Sequence, residues 1–369
     1  MGLLLEKIED IDRLLNQRDE EYPVKGEVWR KLDRECENFF RLLLKEPHFE
    51  QIPDESLVGE VQKFIKHPVF ICGPGRSGTT LLTQLLDGHP NLFVLPGDSN
   101  YMGRFHDKKW KYNSLALYWI KRLINPSGQH PFWFLGKAPK NYKRFLSFLN
   151  YFLEQKIEPF LAVVSSVYAA NEDKINKPKY WVEKTPGNEK YAELISRKFP
   201  QAKFIHIIRE PLENLVSQKK FSLLRKQRFD AIKAAFRIKS LINLGWKNLN
   251  ELGEKRYFIL RYEDLLSRLS EALDKICHFL GLNFSQSLYV PTVNKAPASS
   301  NSVDEERRQV GKVIKAERMP RWIKVFTEEE KKHIVSILYE TALKSGYTEW
   351  EKDEIKKYRE ISYKRSKKR

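Results

Sequence analysis

Short apolar runs alternate with longer helical patterns from residue 67 onward. The runs are rich in β-branched and aromatic residues, and nearly every position in them is apolar. Strands of this composition are typical of a parallel sheet that helices cover on both faces. We therefore predict an α/β fold with a central parallel sheet flanked by helices. The four runs are Val69–Cys72, Leu92–Leu95, Phe204–Ile208 and Tyr257–Leu260.

The chain before residue 67 has a different pattern. Residues 1–66 are rich in Leu, Glu, Lys and Arg, and apolar residues such as Ile8, Ile11 and Leu15 recur at helical spacing. This pattern predicts a helical N-terminal extension that packs on a main domain at 67–350.

Two further segments lack a strand pattern. Residues 101–170 are dense in aromatic residues and predict a helical insertion that walls a pocket, although a hydrophobic core is the commoner use of such residues. Residues 351–369 carry many Lys and Arg and predict a basic C-terminal tail that is solvated and frays. The aromatic candidates for contact with a ligand are Trp110, Tyr118, Trp119, Phe132, Trp133 and Phe134.

Composition excludes several classes of protein. The chain has 369 residues, of which 41% are hydrophobic and 12% aromatic, so disordered and fibrous chains are ruled out. Lys and Arg number 66 against 48 Asp and Glu, a net charge of +18 that favours polyanionic partners. We expect no nucleic acid among them, because the sequence shows no RNP-like aromatics and no helix-turn-helix pattern.

The spacing of the cysteines and the hydropathy of the chain predict the cellular compartment of the protein. Cys36, Cys72 and Cys277 lie far apart, so the sequence predicts neither a disulfide framework nor a zinc site. The longest apolar run, Ile157 to Ala170, contains Glu158 and Pro159 and is too short to span a bilayer. We expect a cytoplasmic protein with no transmembrane segment. The oligomeric state stays open.

A glycine-rich segment, Gly73–Gly78, follows the first predicted strand and precedes an amphipathic helix. Backbone N–H groups at such a helix N-terminus bind phosphate, and the helix dipole adds to the attraction. The glycine spacing is that of a nucleotide P-loop, so we predict a P-loop-type sheet. Thr79, however, occupies the position of the lysine that an NTPase needs, and Arg76 supplies a cation three residues earlier. These residues favour a ligand with a single 5′ phosphate-like group.

Four motifs in order along the chain resemble those of sulfotransferases that use 3′-phosphoadenosine 5′-phosphosulfate (PAPS) as donor. The resemblance is to the branch with tyrosylprotein, carbohydrate and bacterial sulfotransferases, and it runs from about residue 68 to about residue 345. The motifs are Gly75–Leu82 with Leu86–Pro90, Trp181–Pro186, Ile207–Pro211 with Ser217, and Arg261–Leu265 with Phe279–Leu282.

This resemblance implies an enzyme that moves a sulfuryl group from PAPS to a hydroxyl or amine, giving PAP and a sulfated product without a metal. The acceptor would be a carbohydrate, small molecule, lipid or peptide. Arg209 and Ser217 would bind the 3′ phosphate, although Phe221 stands where the family has a second arginine. The full donor-binding set implied is Gly75, Arg76, Ser77, Gly78, Thr79, Thr80, Arg209, Ser217 and Tyr262.

Three residues are candidates for catalysis. Lys184, with Arg76, would stabilise the leaving phosphate, and Asp98 would accept the proton of the acceptor. A surface Lys184 paired with Glu183 is the alternative for that lysine, and a turn or helix N-cap is the alternative for Asp98. Two other functions remain open at this point: a P-loop nucleotide kinase or NTPase, and a basic protein that binds nucleic acid or an anionic surface and has a vestigial phosphate loop.

Overall fold

The computed structural model describes residues 2–21, 26–45, 52–104, 111–125, 132–171, 177–299, 302, 309–313 and 321–366. Trp110 lies outside these ranges. The strands are β1 Pro68–Cys72, β2 Leu92–Asp98, β3 Tyr180–Lys184, β4 Lys203–Ile208, β5 Tyr257–Arg261, β6 Thr292–Val293 and β7 Ala296–Pro297. The helices are α1 Gly2–Glu21, α2 Glu27–Lys45, α3 Glu55–Phe64, α4 Thr79–Asp87, α5 Tyr101–Arg104, α6 Tyr112–Ile124, α7 Pro139–Glu154, α8 Pro159–Ala170, α9 Ala192–Lys198, α10 Pro211–Leu224, α11 Ala231–Leu252, α12 Tyr262–Ser267, α13 Leu269–Leu280, α14 Trp322–Val325, α15 Glu328–Lys344 and α16 Asp353–Ser366.

Five parallel strands form the central sheet in the order β2-β3-β1-β4-β5, which confirms the predicted architecture. In β1, Val69 pairs with Val182 of β3 on one side and with Lys203 of β4 on the other. The chain therefore fills one side of β1 with β2 and β3 before it crosses to β4. A crevice forms outside the carboxyl end of the sheet at such a switch point, where α/β proteins bind ligands.

The N-terminal helices and the aromatic-rich insertion share one hydrophobic cluster with one face of the sheet. Phe39 of α2 is fully buried, and its ring contacts those of Trp133 and Tyr142 edge to face, with centroids 6.2 and 5.5 Å apart. Lys121 of α6 adds an ion pair of 2.8 Å with Glu37 of α2. The described part of residues 1–66 thus consists mainly of the helices α1, α2 and α3. Among the described helices, none has both the length and the apolar composition needed to cross a bilayer.

The C-terminal segment differs from expectation. The prediction that 351–369 frays as a solvated tail is wrong for the described part, where α16 packs on α15. Ile355 and Tyr358 are only 8% and 6% exposed, and the ring of Tyr358 contacts that of Trp322. Two apolar residues three positions apart lie on one helix face, so they can anchor an otherwise charged helix.

A two-residue hairpin between β6 and β7 closes over the end of α4. Its turn residues Asn294 and Lys295 both have positive φ, of 50° and 63°. The Lys295 ammonium donates to the backbone carbonyls of Asp87, His89 and Leu92, which ties the hairpin to the turn between α4 and β2.

The three cysteines are free thiols and all are buried. Cys36 lies in α2, Cys72 ends β1 directly before the glycine-rich loop, and Cys277 lies in α13. Burial raises the pKa of the Cys36 thiol to about 12 and that of Cys277 to about 11, and it raises the pKa of Cys72 as well.

Candidate active site

The glycine-rich segment forms a tight loop from the end of β1 to the start of α4. Gly73 has φ of 133°, and a Cβ there would lie 2.2 Å from the carbonyl oxygen of Ile207. Gly78 has φ of 98°, and a Cβ there would lie 2.2 Å from the ring of Tyr262. Both positions therefore require glycine, for conformation and for space. The loop leads into the N-terminus of α4, the kind of position at which backbone N–H groups bind phosphate.

Side chains that the sequence analysis did not single out hold this loop in place. The Asn214 amide donates to Ser77 Oγ at 2.9 Å and to the Gly75 carbonyl at 3.3 Å, and Gln218 donates to the same carbonyl at 3.3 Å. From the opposite side, Glu189 accepts the N–H of Gly73 at 3.0 Å. The four-residue spacing of Asn214 and Gln218 is the signal that places two amides on one face of α10.

Lys184 brings three separate segments together. Its side chain is only 3% exposed, and its ammonium contacts the Asp98 carboxylate and, at 3.3 Å, the Thr80 hydroxyl. Asp98 stands opposite Lys184 because an irregularity between Val94 and Asp98 shifts the register of β2 against β3. The Asp98 side chain is 33% exposed at this strand end. Two of the predicted catalytic residues are therefore in contact, next to a predicted phosphate-binding threonine.

The structure contradicts the surface position considered for Lys184 and the helix N-cap considered for Asp98. Lys184 is buried and pairs with Asp98, whereas Glu183 is buried in a separate set of hydrogen bonds. Asp98 ends β2 and is not a helix cap, since the next helix begins at Tyr101.

Glu183 links the loops that follow β2 and β3. Its carboxylate accepts hydrogen bonds from Ser99 at 2.6 Å, Thr185 at 2.5 Å and Asn188 at 2.5 Å. Burial raises its pKa, and these three donors oppose that shift. The network holds in place the residues that directly follow Asp98 and Lys184.

The predicted 3′-phosphate residues follow β4, which lies on the other side of β1 from β2 and β3. Arg209 is 9% exposed, donates to the Arg76 carbonyl at 3.3 Å and has its guanidinium 4.9 Å from the centre of the Tyr262 ring. Ser217 is 4% exposed, two turns along α10. Arg209, Tyr262 and the loop thus form one group around the carboxyl ends of β1, β4 and β5.

An aromatic ring occupies the position where the family has a second arginine. The Phe221 ring lies 4.8 Å from the Arg76 guanidinium and 5.3 Å from that of Arg225, one turn further along. Arg76 itself has φ of 69°, an unusual conformation for a residue with a side chain. Arg76 contacts Phe221 and Arg209, and Lys184 contacts Thr80 and Asp98.

Several polar groups are buried close to the glycine-rich loop. His206 is fully buried, and its Nδ1 lies 2.7 Å from the Tyr257 hydroxyl. Burial lowers the pKa of His206 to about 3 and raises that of Glu189 to about 7. His206 is therefore neutral at physiological pH, and Glu189 titrates within that range.

Known proteins resemble this chain over most of its length. An uncharacterized protein of Aquifex aeolicus is 24% identical over 304 residues, which are 80% of this chain and 34% of that protein, so the chain spans about a third of its relative. The sulfotransferase domain of the Synechococcus PCC 7002 olefin synthase is 19% identical, with a TM-score of 0.42 over 70% of this chain and 93% of that domain. A mouse sulfotransferase complexed with PAP is 14% identical, with a TM-score of 0.39 over 79% of this chain and 90% of that one.

A profile of the sulfotransferase family matches residues 68–286. This match begins at the first residue of β1 and extends past α13, so it contains all five strands of the central sheet, the glycine-rich loop, the contact between Asp98 and Lys184, and Arg209. It covers more than half of the sequence, and the chain belongs to the sulfotransferase family.

Proposed function

We propose that the protein transfers a sulfuryl group from PAPS to a hydroxyl or amine of an acceptor. The observation that carries the proposal is the position of Lys184, whose ammonium contacts both Asp98 and Thr80 beside the glycine-rich loop. A cation, a carboxylate and a phosphate-binding loop are the groups that metal-free sulfuryl transfer requires.

The donor would lie along the ends of β1, β4 and β5. Loop amides, Thr79 and Thr80 would hold its 5′-phosphosulfate at the N-terminus of α4, where the helix dipole favours an anion. Arg209 and Ser217 would hold the 3′ phosphate, the group that distinguishes PAPS from ATP. The Tyr262 ring, which covers Gly78 and faces Arg209, supports a place for the donor between loop and β5.

The transfer itself is an in-line displacement at sulfur. The acceptor oxygen or nitrogen forms a bond to sulfur while the bond from sulfur to the bridging phosphate oxygen breaks, and its electron pair stays on PAP. Lys184 and Arg76 stabilise the charge that develops on that oxygen. The Asp98 carboxylate takes the proton that the acceptor loses.

Calorimetric titration with PAP, ADP and ATP tests the donor assignment. We expect the wild-type protein to bind PAP much more tightly than ATP, because Thr79 replaces the lysine that contacts the β- and γ-phosphates of a nucleotide. Arg209→Ala should weaken PAP binding at least tenfold, because a charged hydrogen-bonding partner of a phosphate is lost. Arg197→Ala is the matched control, since the Arg197 side chain is 71% exposed on α9.

Three results would contradict the proposal. Failure of the folded wild-type protein to bind PAP would exclude PAPS as donor. ATP binding with turnover would favour the nucleotide kinase or NTPase, and salt-sensitive binding of DNA or RNA that persists at saturating PAP would favour a basic binding protein.

A further inference from the structure

A carboxylate on α10 lies between two arginines at the edge of the proposed donor site. Glu213 Oε2 lies 2.6 Å from Nη2 of Arg321 and 3.9 Å from Nη2 of Arg209, so both guanidinium groups face the same oxygen atom. Arg321 also donates from Nε to this oxygen at 2.9 Å and from its backbone N–H to Oε1 at 3.3 Å. The fold thus brings Arg321, from the C-terminal part of the chain, next to the arginine that follows β4.

The same face of α10 carries the serine proposed to bind the 3′ phosphate. Glu213, Ser217 and Phe221 follow one another at intervals of four residues, and side chains at this spacing lie on one face of a helix. Ser217 is therefore one turn from Glu213 on one side and one turn from Phe221 on the other. Arg321, which binds Glu213, lies beside the two residues proposed to hold the 3′ phosphate, Arg209 and Ser217.

Contacts other than its guanidinium hold Arg321 against α10. The next residue, Trp322, begins α14 and is 4% exposed. Lys219 of α10 donates to the Val325 carbonyl at 2.8 Å, and its ammonium lies 4.8 Å from the centre of the Phe326 ring. The backbone at Arg321 is therefore fixed by the packing of α14, and its side chain is positioned before a ligand binds.

The two arginines can accommodate a phosphate. The Arg321 side chain is 24% exposed and that of Arg209 is 10% exposed. Two guanidinium groups facing one carboxylate leave an excess of one positive charge, which an anion can balance. Guanidinium groups bind phosphate oxygens through two parallel N–H donors, and such charged hydrogen bonds are stronger than neutral ones.

We propose that Arg321 is the second cation of the 3′-phosphate site and takes the role of the family's arginine at the position that Phe221 occupies. This inference rests on the proposed function, because it concerns the 3′ phosphate of PAPS. The phosphate would lie between Arg209 and Arg321 and receive hydrogen bonds from both. Glu213 would then keep the two guanidinium groups close together while the site is empty.

Arg225 is the competing candidate for the second cation. Its guanidinium lies 5.3 Å from the centre of the Phe221 ring, and that of Arg76 lies 4.8 Å from the same ring. Arg225 is thus placed by an aromatic ring, whereas Arg321 shares a carboxylate oxygen with Arg209 itself. The structure favours Arg321, and the experiment includes both.

Calorimetry with PAP and with AMP tests the inference, because AMP is PAP without its 3′ phosphate. Arg321→Met should lower PAP affinity at least tenfold, because a charged partner of that phosphate is lost, and should change AMP affinity less than twofold. Lys324→Met is the matched control, since it removes one positive charge from an exposed position on α14. Lys324→Met and Arg225→Met should each change PAP affinity less than threefold.

A second variant separates contact with the phosphate from neutralisation of Glu213. In a protein that carries Glu213→Gln, the further change Arg321→Met should still lower PAP affinity at least fivefold, because the lost bonds are to the ligand. If Arg321 served only to neutralise the carboxylate, this further change would have no effect on PAP affinity.

A measurement on the wild-type protein applies even if Arg321→Met fails to fold. Phenylglyoxal modifies accessible arginines, and mass spectrometry of the digested protein measures the extent of modification at each. We expect saturating PAP to slow modification of Arg321 at least fivefold and saturating AMP to slow it less than twofold. Arg359, whose side chain is 46% exposed, is the control and should react equally in all samples.

Outcomes for the two proposals are distinct. Absence of PAP binding by the folded wild type overturns the proposed function. If the wild type binds PAP, a loss of PAP affinity below tenfold in folded Arg321→Met, or equal losses for PAP and AMP, overturns the assignment of Arg321 alone. The same conclusion follows if Arg321→Met has no effect in the Glu213→Gln protein, or if PAP does not protect Arg321 from phenylglyoxal.

Discussion

The ammonium of Lys184 is held by a carboxylate and a hydroxyl from two other segments of the chain. Lys184→Met keeps much of the buried side-chain volume and removes the charge. We expect kcat to fall by about 10²- to 10³-fold, because the cation proposed to stabilise the leaving oxygen is lost. We expect PAP affinity to fall by only about three- to tenfold, because PAP keeps that oxygen on its 5′ phosphate but retains the other contacts proposed for the donor. Steady-state transfer from labelled PAPS and calorimetry with PAP measure the two effects.

Lys190→Met is the control, since Lys190 is exposed shortly after the same strand. Equal losses in both variants, or a loss of PAP binding that matches the loss of kcat, would argue against catalysis by Lys184.

Ionisation of Glu189, which contacts the glycine-rich loop, makes the stability of the protein depend on pH. Its carboxylate binds the N–H of Gly73 in a buried site, and burial raises its pKa to about 7. A carboxyl with a raised pKa in the folded state binds a proton on folding, so the free energy of unfolding decreases as pH rises from about 4.5 to about 7. A glutamine at this position does not ionise, so Glu189→Gln removes this decrease in the free energy of unfolding with pH. We expect the difference in unfolding free energy between the variant and the wild type to increase by about 2 kcal/mol, in favour of the variant, from pH 5 to pH 8.

Urea unfolding of both proteins at several pH values measures this difference. Glu254→Gln, an exposed carboxyl, is the control and should show the same pH dependence as the wild type. A difference between Glu189→Gln and wild type that does not grow with pH would contradict the assignment.

Two elements, the glycine-rich loop and α10, are joined by Asn214. Its amide donates to Ser77 and to Gly75, and Gln218 adds a second bond to Gly75. Asn214→Ala removes two of these bonds from a buried position. We expect PAP affinity to fall about 3- to 20-fold, because a loop that is no longer preorganised must be ordered by the ligand.

Calorimetry with PAP tests this expectation, with Asn150→Ala on the exposed face of α7 as control. If Asn214→Ala lowered the free energy of unfolding but left PAP affinity unchanged, the hydrogen bonds of Asn214 would stabilise the fold without contributing to PAP binding.

Four strands of the sheet were predictable because each contains a run of apolar residues, whereas β3, which ends in Glu183 and Lys184, was not among the predicted runs. Asp98 and Lys184 were predicted through the resemblance of their surrounding motifs to those of sulfotransferases. Asn214 and Glu189 were missed, because each bonds a loop residue more than 100 positions away in sequence and neither carries a local pattern. Helix α16 was missed because Lys and Arg surround its two anchors, Ile355 and Tyr358.

Over the whole molecule, the N-terminal helices share their core with the aromatic-rich insertion and with one face of the sheet. Phe39→Ala leaves a cavity between α2 and the rings of Trp133 and Tyr142. We expect the free energy of unfolding to fall by about 3–5 kcal/mol, the usual cost of removing a buried phenyl ring. Urea unfolding followed by tryptophan fluorescence measures the change.

Phe236→Ala, at a site 56% exposed, is the matched control and should cost less than about 1 kcal/mol. A loss below 1 kcal/mol in Phe39→Ala would mean that α2 contributes little to the stability of the main domain.

The three buried thiols can report local opening of the fold through the rates at which they are alkylated. Only the thiolate reacts with an alkylating reagent, so burial together with a raised pKa makes each cysteine slow to react until its surroundings open. The alkylation rate of Cys36 would report the opening of α2, that of Cys72 the opening of β1, and that of Cys277 the opening of α13. Mass spectrometry of tryptic peptides after timed alkylation would separate the three, so ligand effects on each part of the fold become measurable without an added label.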